Sequence, residues 1–482
     1  MESCLVWFQL DLRLRDQPAL AAALAAGHIP VPCYCLDDAL EDGWRPGGAS
    51  RWWLGQSLQR LDAALAERGS RLVLRQGDTV EVLMALAEET GARHIYFNRR
   101  YEPWIKSLEN RLKLAAAERG IQLHRYQCGL LFNPDEIATQ SGKPYQVFTP
   151  YWRSCLSLPE RAQGREAPAQ LPALAAWPES IAPDAMAHMP RLPWVHGLAS
   201  SWQPGENGGQ LQLQRFIEHA LADYAEGRDC PSQPLTSLLS PYLHFGELSI
   251  RQIWHAVDVD APAHADSVST SVQKYRAELG WREFAHHVMV HFPQTSDSPL
   301  REGFAAFPWV DNPEHLQRWQ QGQTGYPWVD AGMRQLWQTG WMHNRVRMAA
   351  ASFLVKHLRI HWLQGARWFW DTLVDADLPS NTLGWQWSAG CGADAAPYFR
   401  IFNPVLQGQK FDAEGEYVKR WLPELARLPA QYVHQPWQAP QNVLREAGIT
   451  LGRDYPYPVV DHATAREQAL VALERCRDNI AG

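Results

Sequence analysis

Over the first 130 residues, short apolar runs alternate with stretches of helical spacing, and this alternation restricts the fold more than any other feature of the chain. The runs Cys4–Leu10, Ile29–Cys35, Arg71–Leu74, His94–Asn98 and Gln122–Tyr126 read as buried strands. Between them, Pro18–Ala26, Arg51–Arg68, Thr79–Thr90 and Glu102–Arg119 repeat apolar residues at helical intervals. Two of these helices end in Ala-Glu-Arg-Gly, at 66–69 and 117–120, with glycine where the chain must leave the helix. Strand and helix in strict alternation imply a doubly wound parallel five-stranded sheet, with a ligand crevice at the carboxyl ends of its strands. Neither a G-x-G-x-x-G pattern nor a P-loop marks that crevice.

The pattern then changes twice. Residues 131–205 are rich in proline (159, 168, 172, 178, 183, 190, 193 and 204) and read as a long connector running over the surface. Residues 206–482 return to apolar spacing of three and four with few strand-like runs, so a larger all-α domain is expected there.

Composition excludes several classes. No apolar run approaches the ~20 residues of a membrane span, and the N-terminus is too polar by Asp11 for a secretory signal. The eight cysteines contain no Cys-x-x-Cys, so neither a cysteine zinc site nor a disulfide framework is expected, and a reducing cytoplasm is. No metal ligands are assigned. The net charge of -7 sits almost wholly in residues 131–270, which leaves a basic DNA-facing surface possible on 271–420. Tryptophan is unusually abundant, at 23 residues, beyond what core packing ordinarily uses. Indoles also stack on flat ligands or carry electrons.

Four segments hold the chemistry. In Leu235–Ser249, Ser240-Pro241 reads as an N-cap followed by proline, with Thr236 and Ser237 just before it. Ordinary capping is the commoner explanation and ranks first; phosphate binding by the free N–H groups and hydroxyls ranks second. In Asp375–Trp387, carboxylates, Asn381 and two indoles crowd around Gly384; in an extended segment Trp385 and Trp387 would face opposite sides. Glu278 and Trp281 lie three apart, adjacent on a helix. Gly340–Met348 mixes an amide, Asn344, with Arg345, Arg347 and a thioether.

Taken in order, these segments resemble the cryptochrome/photolyase flavoprotein family. The resemblance extends to Leu5-Val-Trp-Phe, Asp11-Leu-Arg-Leu, Lys143-Pro-Tyr-Gln-Val-Phe-Thr-Pro150 and Ala395–Pro404, and is nearly continuous from 326 to 412. Within the family the chain is most similar to class I cyclobutane pyrimidine dimer photolyases. The resemblance implies FAD in the helical domain and splitting of pyrimidine dimers in DNA by light-driven electron transfer from the reduced cofactor.

Residue by residue, it places Tyr224, Thr236, Ser237, Leu238, Leu239 and Ser240 on the FAD phosphate and adenosine side. Arg282, Arg347, Asp375, Asp377 and Asn381 surround the flavin, Asn381 facing N5 and Arg347 paired with Asp375. Glu278 matches the carboxyl that hydrogen-bonds the dimer, a role that needs its proton. Trp281 and Trp387 match walls of the substrate cleft, where stacking replaces what a flipped base loses. Asn344 and Met348 match dimer contacts, and Arg228, Arg345 and Gln407 match DNA contacts. Trp385, Trp362 and Trp309 match the electron-transfer triad.

Three places depart from the family pattern. Gln9-Leu10 replaces the usual Arg-Arg/Gln, Tyr101-Glu-Pro-Trp104 lacks the folate-binding Asn-Glu pair, and Cys391 stands in an altered Ser-Ala-Gly-Cys-Gly-Ala stretch. The antenna is therefore left open, as a folate held differently, a deazaflavin, another chromophore or none; Trp52, Trp53 and Trp104 are wall candidates, with core packing at least as good a reading. The remaining readings are a cryptochrome photoreceptor without repair and a (6-4) photoproduct lyase. The short tail after residue 430 and the intact Glu278, Trp281, Asn344 and Met348 favour repair over signalling; a monomeric, cytoplasmic, nucleoid-associated enzyme is the accompanying expectation.

Overall fold

The computed structural model describes residues 2–39, 43–159, 164–182, 194–259, 266–395 and 399–481. Prolines 183, 190 and 193 of the connector and residues 396–398 of the Ala395–Pro404 motif lie outside them. Five strands, β1 (Ser3–Phe8), β2 (Ile29–Leu36), β3 (Val73–Gln76), β4 (His94–Asn98) and β5 (Gln122–Tyr126), form one parallel sheet in the order β3-β2-β1-β4-β5. Helices α1 (Pro18–Ala25), α2 (Gly48–Ala66), α3 (Thr79–Thr90) and α4 (Ile105–Glu118) supply the crossovers. The doubly wound sheet expected from the alternation is present.

The ends of β1, β2 and β3 shift by one or two residues from the sequence reading, and at two of them a side chain captures backbone. β1 stops at Phe8 rather than Leu10: the Gln9 N–H turns to Asp11 Oδ1 at 2.6 Å. β3 starts at Val73 rather than Arg71, since the Leu72 N–H goes to Asp62 Oδ1 and ladder pairing begins at Cys33–Val73. The connector differs more. It carries the Phe148–Leu156 helix, and Tyr151, Cys155 and Leu171 are buried, so this stretch is not confined to the surface. Buried Glu283 accepts the backbone N–H groups of Leu131 and Phe132 and ties its start to the helical region.

The carboxyl end of β1 docks on the helical region through the Asp11-Leu-Arg13 motif. Arg13 is buried; its guanidinium donates to the carbonyls of Gly246 and Asp16. Gly246 has φ +63°, and a Cβ there would fall 2.2 Å from the Leu10 carbonyl oxygen, so only glycine allows this approach. Glu206 accepts from the Leu14 and Arg15 N–H groups across the same seam. Gln9, the departure from the family motif, joins a buried network with Asp11, Gln17 and Asn98. Most of the polar groups buried there gain a partner, which offsets their desolvation; the Asn98 amide oxygen and Arg13 Nε do not.

Beyond the connector the fold is helical. Trp319, Trp328 and Trp362 are buried in its second core, and Trp53 in the first, so much of the tryptophan excess is packing. Cys391 is buried as a small filler. Among the described residues no helix is long and apolar enough to cross a membrane.

Candidate functional site

Three helices and one loop converge on a pair of adjoining cavities. The Leu378–Ala389 helix begins where the Asp377 carboxylate accepts the Ser380 N–H and Pro379 occupies the first turn; it ends at Gly390, φ +90°. Trp385 and Trp387 are thus helical, not extended. Two positions apart on a helix they still point to different sides: Trp385 is buried against Phe369 and Trp319, and Trp387 is half-buried near Phe402. The Asn344–Ser352 helix is capped by His343, whose Nδ1 accepts the Arg345 N–H at 3.2 Å. The Asp266–His291 helix brings Glu278 and Arg282. The larger cavity, ≈ 270 Å³, is bounded by Tyr224, Arg228, Thr236–Ser240, Glu278, Arg282, Asn344, Arg347, Asp375 and Asp377. The smaller, ≈ 190 Å³, adds Met348, Asn381, Gly384 and Trp385, and the two share Asn344, Arg347, Asp375, Asp377 and Ser380.

Their common wall is electrostatically defined. Asp375 Oδ2 accepts from Arg347 at 2.8 Å and from the Ser240 hydroxyl at 2.6 Å. Asp375 Oδ1 is buried with no protein partner. Burial alone would raise the Asp377 carboxyl, but the nearby His286, His244 and Arg282 hold it well below the usual carboxylate range. The Asn381 amide donates to the Ala366 carbonyl at 3.0 Å, which leaves its oxygen as the acceptor to be satisfied. Arg282 donates to the Gly129 carbonyl.

The Ser240 reading needs correction. Leu239 is the cap, Ser240 is the first residue of a five-residue helix, and its hydroxyl donates to Asp375 rather than receiving a helix N–H. The proline that follows cannot donate, so the serine side chain is released for a tertiary contact. Leu238 holds φ +54°, a left-handed strain of about 1–3 kcal/mol for a branched residue, and it lies on the cavity wall between Ser237 and Leu239.

On the opposite rim, Arg228 pairs with Glu278 at 2.5 Å, and Arg345 pairs with Asp229 at 2.6 Å while covering the Phe411 ring. Glu278 is therefore the carboxylate partner of an arginine here. Asn344 and Met348 touch each other one turn apart. Trp281 is no bare wall: its ring stacks on Phe148, with centroids 3.9 Å apart. Trp281, Arg345, Trp387 and Gln407 do not line either cavity; Gln407 is half-buried on the Pro404–Phe411 helix. Of the matched triad, Trp385 borders the smaller cavity, while Trp362 and half-buried Trp309 both lie against the His361 ring.

Several neighbours escaped the sequence reading. Ser380 borders both cavities, and His244 and His286 flank Asp377 at 3.9 and 3.5 Å. Ser380 stood in plain view one residue before Asn381. The histidines are over 90 residues away and carry no local signal. Of the antenna candidates, Trp53 is core, its indole N–H bonded to Glu247. Trp52 borders a separate cavity of ≈ 780 Å³ with Arg60 and Trp202, and Trp104 is half-buried between two core clusters.

The site fits FAD on its own chemistry. An unpartnered buried Asp375 oxygen, the Asn381 carbonyl and the hydroxyls of Thr236 and Ser237 offer acceptors and donors to a polar, hydrogen-bonding ligand. A Cβ added at Gly384 would meet nothing within 4 Å, so the helix leaves open space where a flat ring system needs it.

Comparisons agree with this geometry. Residues 4–173 match the DNA photolyase family, and residues 275–475 match the FAD binding domain of DNA photolyase. A deoxyribodipyrimidine photo-lyase of Agrobacterium fabrum is 45% identical over 97% of each chain. Cryptochrome-2 of Arabidopsis thaliana is 40% identical, covering 98% of this chain and 79% of that one. The crystal structure of a bacterial class III photolyase from Agrobacterium tumefaciens superposes with a TM-score of 0.95 at 44% identity, covering 99% of this chain and 98% of that one. A five-stranded parallel α/β domain, a helical FAD-binding domain and full-length identity on this scale have one explanation: the chain belongs to the photolyase/cryptochrome family.

Proposed function

We propose that this protein is a light-driven DNA lyase that splits cyclobutane pyrimidine dimers, and that its subclass is the class III of the Agrobacterium tumefaciens structure rather than the class I that the motifs resemble. The observation that carries the reading is continuity: the wall made by Asp375, Arg347 and Asn381 runs directly into Glu278, Asn344 and Met348. A ligand held on the first set is in reach of one held on the second. Reduced FAD, when bound, supplies the photoexcited electron that opens the cyclobutane ring.

The chain's own residues do the rest. Asp375, with Arg347 and Ser240, fixes an acceptor at the inner wall, and the neutral Asn381 amide presents an oxygen without adding charge. Arg228 and Arg345 hold positive charge at the rim, where backbone phosphates position a duplex without reading its sequence. Phosphate and Glu278 compete for Arg228. When DNA takes the arginine, the Glu278 carboxyl is released to face the flipped dimer. That exchange reconciles the ion pair with the donor role expected of Glu278. Indoles near the rim compensate the lost stacking at ~1–3 kcal/mol per base. A light-harvesting folate or deazaflavin would find room in the ≈ 780 Å³ cavity beside Trp52 and Arg60.

The deciding experiment is blue-light repair of a thymine-dimer oligonucleotide by chemically prereduced protein, with a dark control and a (6-4) oligonucleotide in parallel. Light-dependent return of intact thymines supports the reading. Repair of the (6-4) lesion alone reassigns the substrate. No repair of either, with reduced FAD bound, favours a cryptochrome photoreceptor, for which the 40% identity to Cryptochrome-2 is the supporting observation.

A further inference from the structure

At the end of the sheet opposite the Arg13 clamp, three histidines and a glutamate meet at the amino-terminal ends of neighbouring strands. Glu2 precedes β1, His28 precedes β2, His94 opens β4 and His124 lies in β5. One possible ligand atom from each of Glu2, His28 and His94 lies within 4.8 Å of the others. The backbone that carries them is fixed. The Ile29 N–H donates to the Glu2 carbonyl, and the His28 N–H to the Ala23 carbonyl at the end of α1.

The imidazoles are held by partners of their own. His28 Nδ1 lies 3.2 Å from the Tyr96 hydroxyl, and His94 Nδ1 lies 3.0 Å from His124 Nε2. The rings stack in series: His28 on His94 at 4.5 Å, His94 on His124 at 5.2 Å, His124 on Tyr96 at 4.4 Å. A partner on one ring nitrogen fixes the tautomer and the ring plane and leaves the other nitrogen for an ion, as outer-sphere partners do around metal-bound histidines. Two imidazoles and a carboxylate, with the remaining positions open to solvent, form a ligand set for a borderline divalent cation. Metal-bonding distances of about 2.0–2.2 Å require the Glu2 carboxylate, which is exposed, and the two half-buried rings to close in on a shared ion from this separation.

We propose that Glu2, His28 and His94 form a divalent transition-metal site on the α/β domain, with His124 and Tyr96 as its positioning residues. The cluster lies at the amino edge of the sheet, whereas the carboxyl edge faces the helical region, so the proposed repair chemistry does not draw on it.

The test uses FAD-loaded full-length protein stripped with a chelator and titrated with zinc chloride. Wild type should take up one equivalent tightly and rise in melting temperature. His28→Ala/His94→Ala should lose that equivalent and the rise, with affinity down at least thirtyfold. His124→Ala and Tyr96→Phe should weaken it about tenfold. Zinc-edge X-ray absorption should report two imidazole nitrogens in wild type. FAD content of each variant checks its fold, and Glu2→Gln provides a second, fold-neutral probe with weaker binding expected. Equal zinc uptake by wild type and the double variant, or bound zinc without imidazole ligands, overturns the proposal.

Discussion

Replacing Arg347 with methionine tests the energetic logic of the cavity wall. The Asp375 side chain is 3% exposed and Arg347 is 23% exposed, so this is a largely desolvated pair. Arg347→Met removes the 2.8 Å bond to Asp375 Oδ2 and the Arg347 donation to the Met342 carbonyl, and leaves the carboxylate with only the Ser240 hydroxyl. Removing one member of a buried pair costs about 3–5 kcal/mol, since the other charge is stranded. By the usual conversion this is a fall of roughly 10²–10³·⁵ in the folded-to-unfolded ratio of the helical region. Arg347→Met/Asp375→Leu removes the stranded charge as well and should recover about half of that stability or more. It should not recover flavin, because the Asp375 acceptor is gone. Urea unfolding of the two singles and the double, followed by tryptophan fluorescence with and without FAD, closes the cycle. Flavin per protein is read from the visible absorbance. If Arg347→Met costs under 1 kcal/mol and retains flavin, or if the double variant is less stable than Arg347→Met alone, the pair is not the buried clamp argued here.

Other outcomes follow from the same structure. Gly384→Ala should stabilise the flavin-free protein by about 0.5–1 kcal/mol, because alanine favours the helix and its Cβ meets nothing, while lowering flavin affinity by filling the cavity; urea midpoints and flavin titration give the two signs separately. Burial lowers the His343 imidazole to about 4 from an ordinary 6.5. The native state thus binds fewer protons than the unfolded chain, so the stability is present above pH 6.5 and lost as pH falls toward 4, by up to about 3 kcal/mol. Because His343 caps the Asn344–Ser352 helix, flavin release should steepen in that window, and His343→Asn, a non-titrating cap, should flatten it in a pH series of flavin fluorescence. Trp309→Phe should slow photoreduction of oxidised flavin and spare repair by prereduced enzyme; unchanged photoreduction would remove Trp309 from the electron route. Glu278→Ala should keep flavin and lower repair per absorbed photon, and flavin loss with full repair per bound flavin would contradict its role.

The α/β half was legible because its determinants are local. Period-two and period-3.6 patterns write strands and helices into short windows, and only element ends moved, by a few residues; at Gln9 and Leu72 the cause is an N–H captured by Asp11 and Asp62. The helix bearing Asn381 and Trp385 was harder to see, since its polar and aromatic residues show no amphipathic period. Motif order identified the cavity residues as a set. It said nothing of Ser240 turning from a cap into a partner of Asp375, 135 positions away.

The sequence by itself determined the parallel sheet, the two-part organisation, the family and most of the cavity wall, for propensity, periodicity and motif residues are all carried by neighbours along the chain. Only the tertiary structure decided that Glu278 is held by Arg228, that Trp281 is spent on Phe148, that His244 and His286 flank Asp377, and that His28, His94 and His124 stack at one edge. Those contacts join residues tens to hundreds of positions apart. They are set by chain crossovers and packing, and the electrostatics of a buried group depends on what folding brings beside it.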